Sequence, residues 1–234
     1  MKNKIKQFIK LKIAKKKCIK NDKDYKQLES LVSKADVVSF DMFDTLVTRN
    51  VQKPDHIFQI VAEDAKKVFK FTFDFPEIRK SAEVDVYNKQ GEKISIQDIY
   101  QRVEELGISN EICNWLMKRE LEIEKKFIVR DELGKTLYDI CKQKNKKIIV
   151  TSDMYLSKDF FSKKLVSLGY QVDEIFISGE CGCSKDKGEL YELLKNKLGT
   201  NNILHIGDNF HADFTQARKH GLEGYWVVRN KKMN

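Results

Sequence analysis

The sequence predicts an α/β protein: a doubly wound parallel sheet with a block of helices inserted after the first strand. Three observations carry this. Five short runs, Val37–Phe40, Ile148–Thr151, Glu174–Ile177, Ile203–Ile206 and Tyr225–Val228, are largely apolar along their length, as strands covered on both faces are. The later runs alternate with helical patterns that end on glycine, the arrangement of a doubly wound sheet. The interval from Val51 to Phe127 carries helical periodicity only.

Taken in order, the chain opens on an arm. Residues 1–20 hold nine lysines and no acid, so the rest of the chain has 35 basic and 35 acidic residues and the whole excess of +9 sits at the N-terminus. A neutral body argues against a nucleic-acid-binding domain, whose basic residues would line a folded face. Ile5, Phe8, Ile9 and Ile13 recur at roughly helical spacing among the lysines. The arm therefore has two readings, a solvated basic tail or a weak contact with an anionic membrane surface at the inner face. Lysines interrupt every apolar run in it, which excludes a secretory signal, and nothing approaches the ~18–20 apolar residues of a membrane span.

The first strand, Val37–Phe40, stops on Asp41. Helices are expected over Asp55–Lys70, Pro76–Gln90, Ser95–Leu106 (with a Ser95/Asp98 capping pair) and Ser109–Phe127, where Ile112, Leu116, Ile123 and Phe127 line one face. Asp131 opens the helix that leads back to the sheet. Ser157 caps a helix ending at Gly169, Lys187–Leu198 ends at Gly199, and His211–His220 ends at Gly221. The division is an arm over 1–30, a sheet domain over 31–50 and 128–234, and a helical insert over 51–127. Five cysteines, an odd number without framework spacing, point to a reducing, cytoplasmic setting. Cys181-Gly182-Cys183 lacks companion histidine spacing for zinc and reads as a loop with free thiols.

Chemistry gathers at the strand ends. A charge at the rim of a sheet is costly unless paired, metal-bound or used. The first strand gives Asp41-Met42-Phe43-Asp44-Thr45-Leu46, the second Thr151-Ser152-Asp153-Met154-Tyr155, the third Lys185-Asp186-Lys187-Gly188, and the fourth Gly207-Asp208-Asn209-Phe210-His211-Ala212-Asp213. Asp41, Asp208 and Asp213 form a hard oxygen set suited to Mg²⁺. Taken singly, each has a plainer reading: Asp208 and Asp213 could cap a helix, and Lys185 could be a surface lysine.

These four segments, in order, resemble the motifs of the haloacid dehalogenase-like hydrolase superfamily, with a Rossmann-like core and a cap domain inserted after the first strand. The resemblance implies Asp41 as nucleophile, Thr45 as the motif threonine, Thr151 or Ser152 as the hydroxyl that bonds the phosphoryl group, and Lys185, rather than Lys187, as the cation. It implies a Mg²⁺ held by Asp41, Asp208, Asp213 and the Phe43 backbone carbonyl. The implied reaction is hydrolysis of a small phosphorylated metabolite, a sugar, glycerol or amino-alcohol phosphate, through an aspartyl-phosphate. Phe43 and Asp44 occupy the places where the family usually has a second Asp and a Gly. The phenyl ring supplies no proton, and Asp44 is either a displaced acid/base or a loop residue. Phe-Asp-x-Phe-Asp-Thr-Leu with Ser-Asp-Met-Tyr is also similar to a bacterial subgroup associated with capsule and surface-polysaccharide synthesis. The alternatives are a catalytically weak binding module docked by its arm, and an enzyme of the dehalogenase or phosphonatase type.

Overall fold

A computed structural model describes residues 22–70 and 73–228; the lysine-rich arm, and with it the expected membrane contact, lies outside the described residues. Helix α1 (Asp22–Lys34) leads into β1 (Val37–Phe40). A short hairpin, β2 (Val47–Arg49) with β3 (Ile128–Arg130), brackets four helices, α2 (His56–Phe69), α3 (Phe75–Gln90), α4 (Ile96–Glu105) and α5 (Asn110–Phe127). Then follow α6 (Glu132–Gln143), β4 (Lys147–Ser152), α7 (Lys158–Ser167), β5 (Glu174–Ile177), the one-turn α8 (Ser178–Cys181), α9 (Glu189–Leu198) and β6 (Ile203–Gly207). A π-helical turn (Phe210–Gln216), α10 (Ala217–Lys219) and β7 (Glu223–Trp226) complete it.

The main sheet is parallel, in the order β5-β4-β1-β6-β7. Because β1 is central, the end of β1 faces the ends of β4 and β6, where ligands bind in open α/β sheets. Val38, Phe40, Ile148, Val150, Leu204 and Ile206 are buried, consistent with a sheet covered on both faces. In the insert, α2 packs on α5, α3 on α4 and α4 on α5. Phe58, Ile99, Val103 and Leu116 fill the space between them.

Local signals in the sequence act as expected. Ser95 and Asp98 form a reciprocal capping box, Asp131 accepts from the Gly134 amide, and Ser157 accepts from the Phe160 amide. Gly199 ends α9 in the left-handed conformation.

Three elements differ from expectation. Helix α1 begins inside the segment assigned to the arm, since Leu28 and Val32, one turn apart, are fully buried; the surrounding lysines obscured that pair. The last strand starts at Glu223, two residues before Tyr225, because its first residues are an exposed Glu223 and Gly224, which carry no apolar signature. The helix expected over His211–His220 is instead a π-helical turn followed by α10, a form common at functional sites.

Candidate active site

The site is built on three central strand ends. The Asp41 amide donates to the Ile206 carbonyl at 2.8 Å, which continues the β1–β6 ladder one residue and delivers Asp41 to the rim. The chain then turns tightly: the Asp44 amide donates to the Val47 carbonyl, and the Leu46 and Val47 amides to that of Met42. Asp44 takes the left-handed backbone conformation, φ 55°. Glycine is the usual residue in that conformation, and Asp is among the few others that tolerate it. The Asp44 carboxylate accepts from the Thr48 hydroxyl at 3.3 Å. From the other side α6 presses on the turn so closely that a Cβ at Gly134 would lie 1.9 Å from the Thr45 carbonyl oxygen.

Lys185 comes from the loop after α8. Asp153 anchors that loop by accepting from the Lys185 and Asp186 amides at 2.9 and 3.2 Å. The Lys185 ammonium donates to Asp41 Oδ1 at 2.5 Å and to Asp213 Oδ1 at 2.6 Å. Lys187 is half exposed and pairs at 3.0 Å with Glu92, in the turn between α3 and α4 of the insert. Of the two lysines, Lys185 reaches the carboxylates and Lys187 reaches the insert.

Asp213 folds back across the end of β6: a Cβ on Gly207 would lie 2.3 Å from its carboxylate, so glycine is required there. Its Oδ2 accepts from the Asn209 amide at 2.9 Å. Its Oδ1 also receives His205 Nε2 at 3.1 Å. Carboxylate oxygens of Asp41, Asp208 and Asp213 all lie within 4.8 Å of one another.

Charge and burial set the protonation states. Asp41 is 8% exposed, Lys185 3% and Asp213 0%. Burial pushes the Asp41 carboxyl up to about 7, Lys185 pulls it down, and the negative charge of Asp213 adds to the rise. Burial opposes the Lys185 ammonium, but Asp213 and Asp41 more than offset it and hold lysine charged. Burial likewise opposes ionisation of Asp213, yet Lys185 and His205 hold it well below the usual carboxylate range.

Of the two candidate hydroxyls, Thr151 is turned to Ser39 Oγ at 2.8 Å, and Ser152 follows it at the end of β4. Phe43 lies between Phe161, edge-on at 5.8 Å, and the Arg49 guanidinium, 3.8 Å from its ring centroid. Arg49 in turn is held by both oxygens of Glu124. Sequence reasoning overlooked His205, Ser39 and Arg49.

The donor set fits a hard divalent cation: three carboxylates converge, and Asp213 Oδ2, with one amide hydrogen bond, keeps a lone pair for a metal.

The fold and site define a class. Residues 35–221 match the haloacid dehalogenase-like hydrolase family, and the chain belongs to it. Comparison with curated proteins gave no match. Among solved structures, a 2-haloacid dehalogenase from Pseudomonas syringae superposes with a TM-score of 0.60 at 12% identity, over 86% of this chain and 91% of that one. A putative hydrolase of the family from Bacillus subtilis, bound to magnesium, gives 0.56 at 15% identity over 86% and 91%. A family enzyme from Bacteroides thetaiotaomicron, in complex with magnesium and inorganic phosphate, gives 0.55 at 15% identity over 86% and 98%. At these identities the likeness is one of fold.

Proposed function

We propose that the protein is a Mg²⁺-dependent phosphomonoesterase that hydrolyses a small phosphorylated metabolite through an aspartyl-phosphate. The observation that carries this reading is Lys185 bridging Asp41 and Asp213, with Asp208 completing the carboxylate cluster. In this reading Lys185 fixes one oxygen of Asp41, and the other attacks phosphorus in line. The P–O ester bond breaks, and the alcohol leaves with a proton taken from solvent. Water then attacks the acyl phosphate, releasing phosphate and restoring Asp41. Asp41, Asp208, Asp213 and the Phe43 carbonyl would hold Mg²⁺, whose charge lets an anionic ester approach an anionic nucleophile. Ser152 is the proposed phosphoryl-bonding hydroxyl, since that of Thr151 is engaged by Ser39. Thr45, fully buried in the motif turn, is assigned to the same loop. A role in capsule or surface-polysaccharide precursor synthesis, in the cytoplasm, is part of this proposal, as is membrane-surface contact by residues 1–20.

Phe43 favours one second reading, an enzyme of the dehalogenase type, since haloacid dehalogenases also lack the second Asp. The paired Asp208 and Asp213 weigh against it. The deciding experiment is phosphate release from a panel of small phosphate esters, with a haloacid as control. Release that requires Mg²⁺ and is lost in Asp41→Asn supports the phosphatase. Halide release without metal, or full activity in Asp41→Asn, overturns it.

A further inference from the structure

Beneath the carboxylates runs a buried polar chain that phosphoryl transfer by Asp41 does not use. Ser39 on β1 and His205 on β6 are direct register partners, and Thr151 lies on β4 at the other side of β1. All three are 0% exposed. Thr151 Oγ1 lies 2.8 Å from Ser39 Oγ, Ser39 Oγ 2.8 Å from His205 Nδ1, and His205 Nε2 3.1 Å from Asp213 Oδ1. The Tyr191 ring closes the remaining side, edge-on at 5.2 Å.

The direction of this chain follows from its end. An ionised Asp213 only accepts, so His205 carries its proton on Nε2. Nδ1 is then an acceptor, Ser39 donates to it, and Thr151 donates to Ser39. Burial favours the neutral ring this requires. Each member is fixed by the one before it.

We propose that His205 is a positioning residue of the phosphoryl-transfer site, acting through Asp213 on Lys185 and on the cation. The proposal rests on the phosphatase reading above. Lone-pair accounting gives it content. Lys185 and His205 together fill Asp213 Oδ1, and the Asn209 amide takes one site on Oδ2. The carboxylate is thus locked with a single lone pair left for a metal. Without the Nε2–H donor, a lone pair opens on Oδ1 and the carboxylate is held by two hydrogen bonds instead of three, so the geometry it offers to Lys185 and to the metal is less defined. Partners one step behind a metal ligand typically govern about 10–100-fold in affinity or activity.

The test compares full-length wild type with His205→Leu, which deletes the donor, and His205→Gln, whose side-chain amide nitrogen can reach the same place and donate. Mg²⁺ affinity is read by titration calorimetry, kcat and KM with an aryl phosphate, and folding by thermal melting. His205→Leu is expected to lose about 10-fold or more in kcat and in Mg²⁺ affinity, with KM within about 2-fold. His205→Gln is expected to recover most of both. A folded His205→Leu with wild-type kcat and Mg²⁺ affinity overturns the role, as does a folded His205→Gln no better than Leu. Should His205→Leu not fold, Ser39→Ala releases the ring; a loss of about 3-fold or more in both readouts supports positioning, and wild-type values overturn it. A wild type that neither binds Mg²⁺ nor releases phosphate defeats the functional reading itself, whereas one that does both with unchanged variants defeats only the role of His205.

Discussion

The Arg49 guanidinium lies 3.8 Å from the centre of the Phe43 ring, and Glu124 grips it from behind with both carboxylate oxygens. The position two residues after Asp41 is therefore filled by a ring stacked under a cation.

Phe43→Asp should give the site the missing acid and place it beside Arg49. We expect hydrolysis of alkyl phosphates to rise by about 10-fold or more, part of the ~10²–10⁴ such groups supply. Aryl phosphates need little protonation and should gain much less. Steady-state rates on a matched alkyl/aryl pair check this; equal changes on both would mean that the acid comes from elsewhere.

Asp44 should act through its backbone. With φ at 55°, Asp44→Gly should keep stability and activity, while Asp44→Ala should cost about 1 kcal/mol in urea denaturation. Asp44→Asn should slow alkyl and aryl esters alike, and only slightly. A selective loss on alkyl esters of about 10²-fold would instead make Asp44 the acid.

The insert holds a buried charge network open to a stability test. Arg79 gives two hydrogen bonds to Glu120 and one to Glu83, and Glu120 also accepts from Tyr100 and from Tyr155, which follows β4. Arg79 and Glu120 are both 0% exposed. Glu120→Ala should cost about 3–5 kcal/mol, because it removes two of the three carboxylate bonds of a buried guanidinium and leaves it Glu83 alone; Arg79→Met with Glu120→Leu should cost much less. Chemical denaturation of the single and double variants reads the difference.

Alkali should destabilise the protein partly through Cys141. Burial pushes this thiol up to about 12. The folded chain keeps its proton from about pH 9 to 12 while the unfolded chain, with an ordinary thiol near 8.5, has lost it. Unfolding then releases a proton, so stability falls as pH rises through that window. Unfolding free energy measured from pH 8 to 11 should fall less steeply in Cys141→Ala.

Much of the candidate site was legible because each candidate group closes an apolar run: Asp41 after β1, Ser152 at the end of β4, Asp208 after β6. Those boundaries are local, and local patterns write them. Strand order is not local. Ser39 and His205 are 166 positions apart and meet only because β1 and β6 pair in register. A Ser within Val-Val-Ser-Phe and a His within Ile-Leu-His-Ile are visible signals, two polar residues in buried strands, but their partnership depends on the sheet order. Arg49 was hidden for a related reason: the β2–β3 hairpin that turns it toward Phe43 joins segments on either side of the whole insert.

One loop carries both Lys185, set against Asp41, and Lys187, set against the insert. The segment carrying Lys185 also pairs with the insert, through Lys187 on Glu92. Under the phosphatase proposal, exchange of the turn at residues 91–94 to admit a different molecule would disturb the loop that holds Lys185 against Asp41. Descendants that changed their diet by this route would therefore lose speed as they gained range.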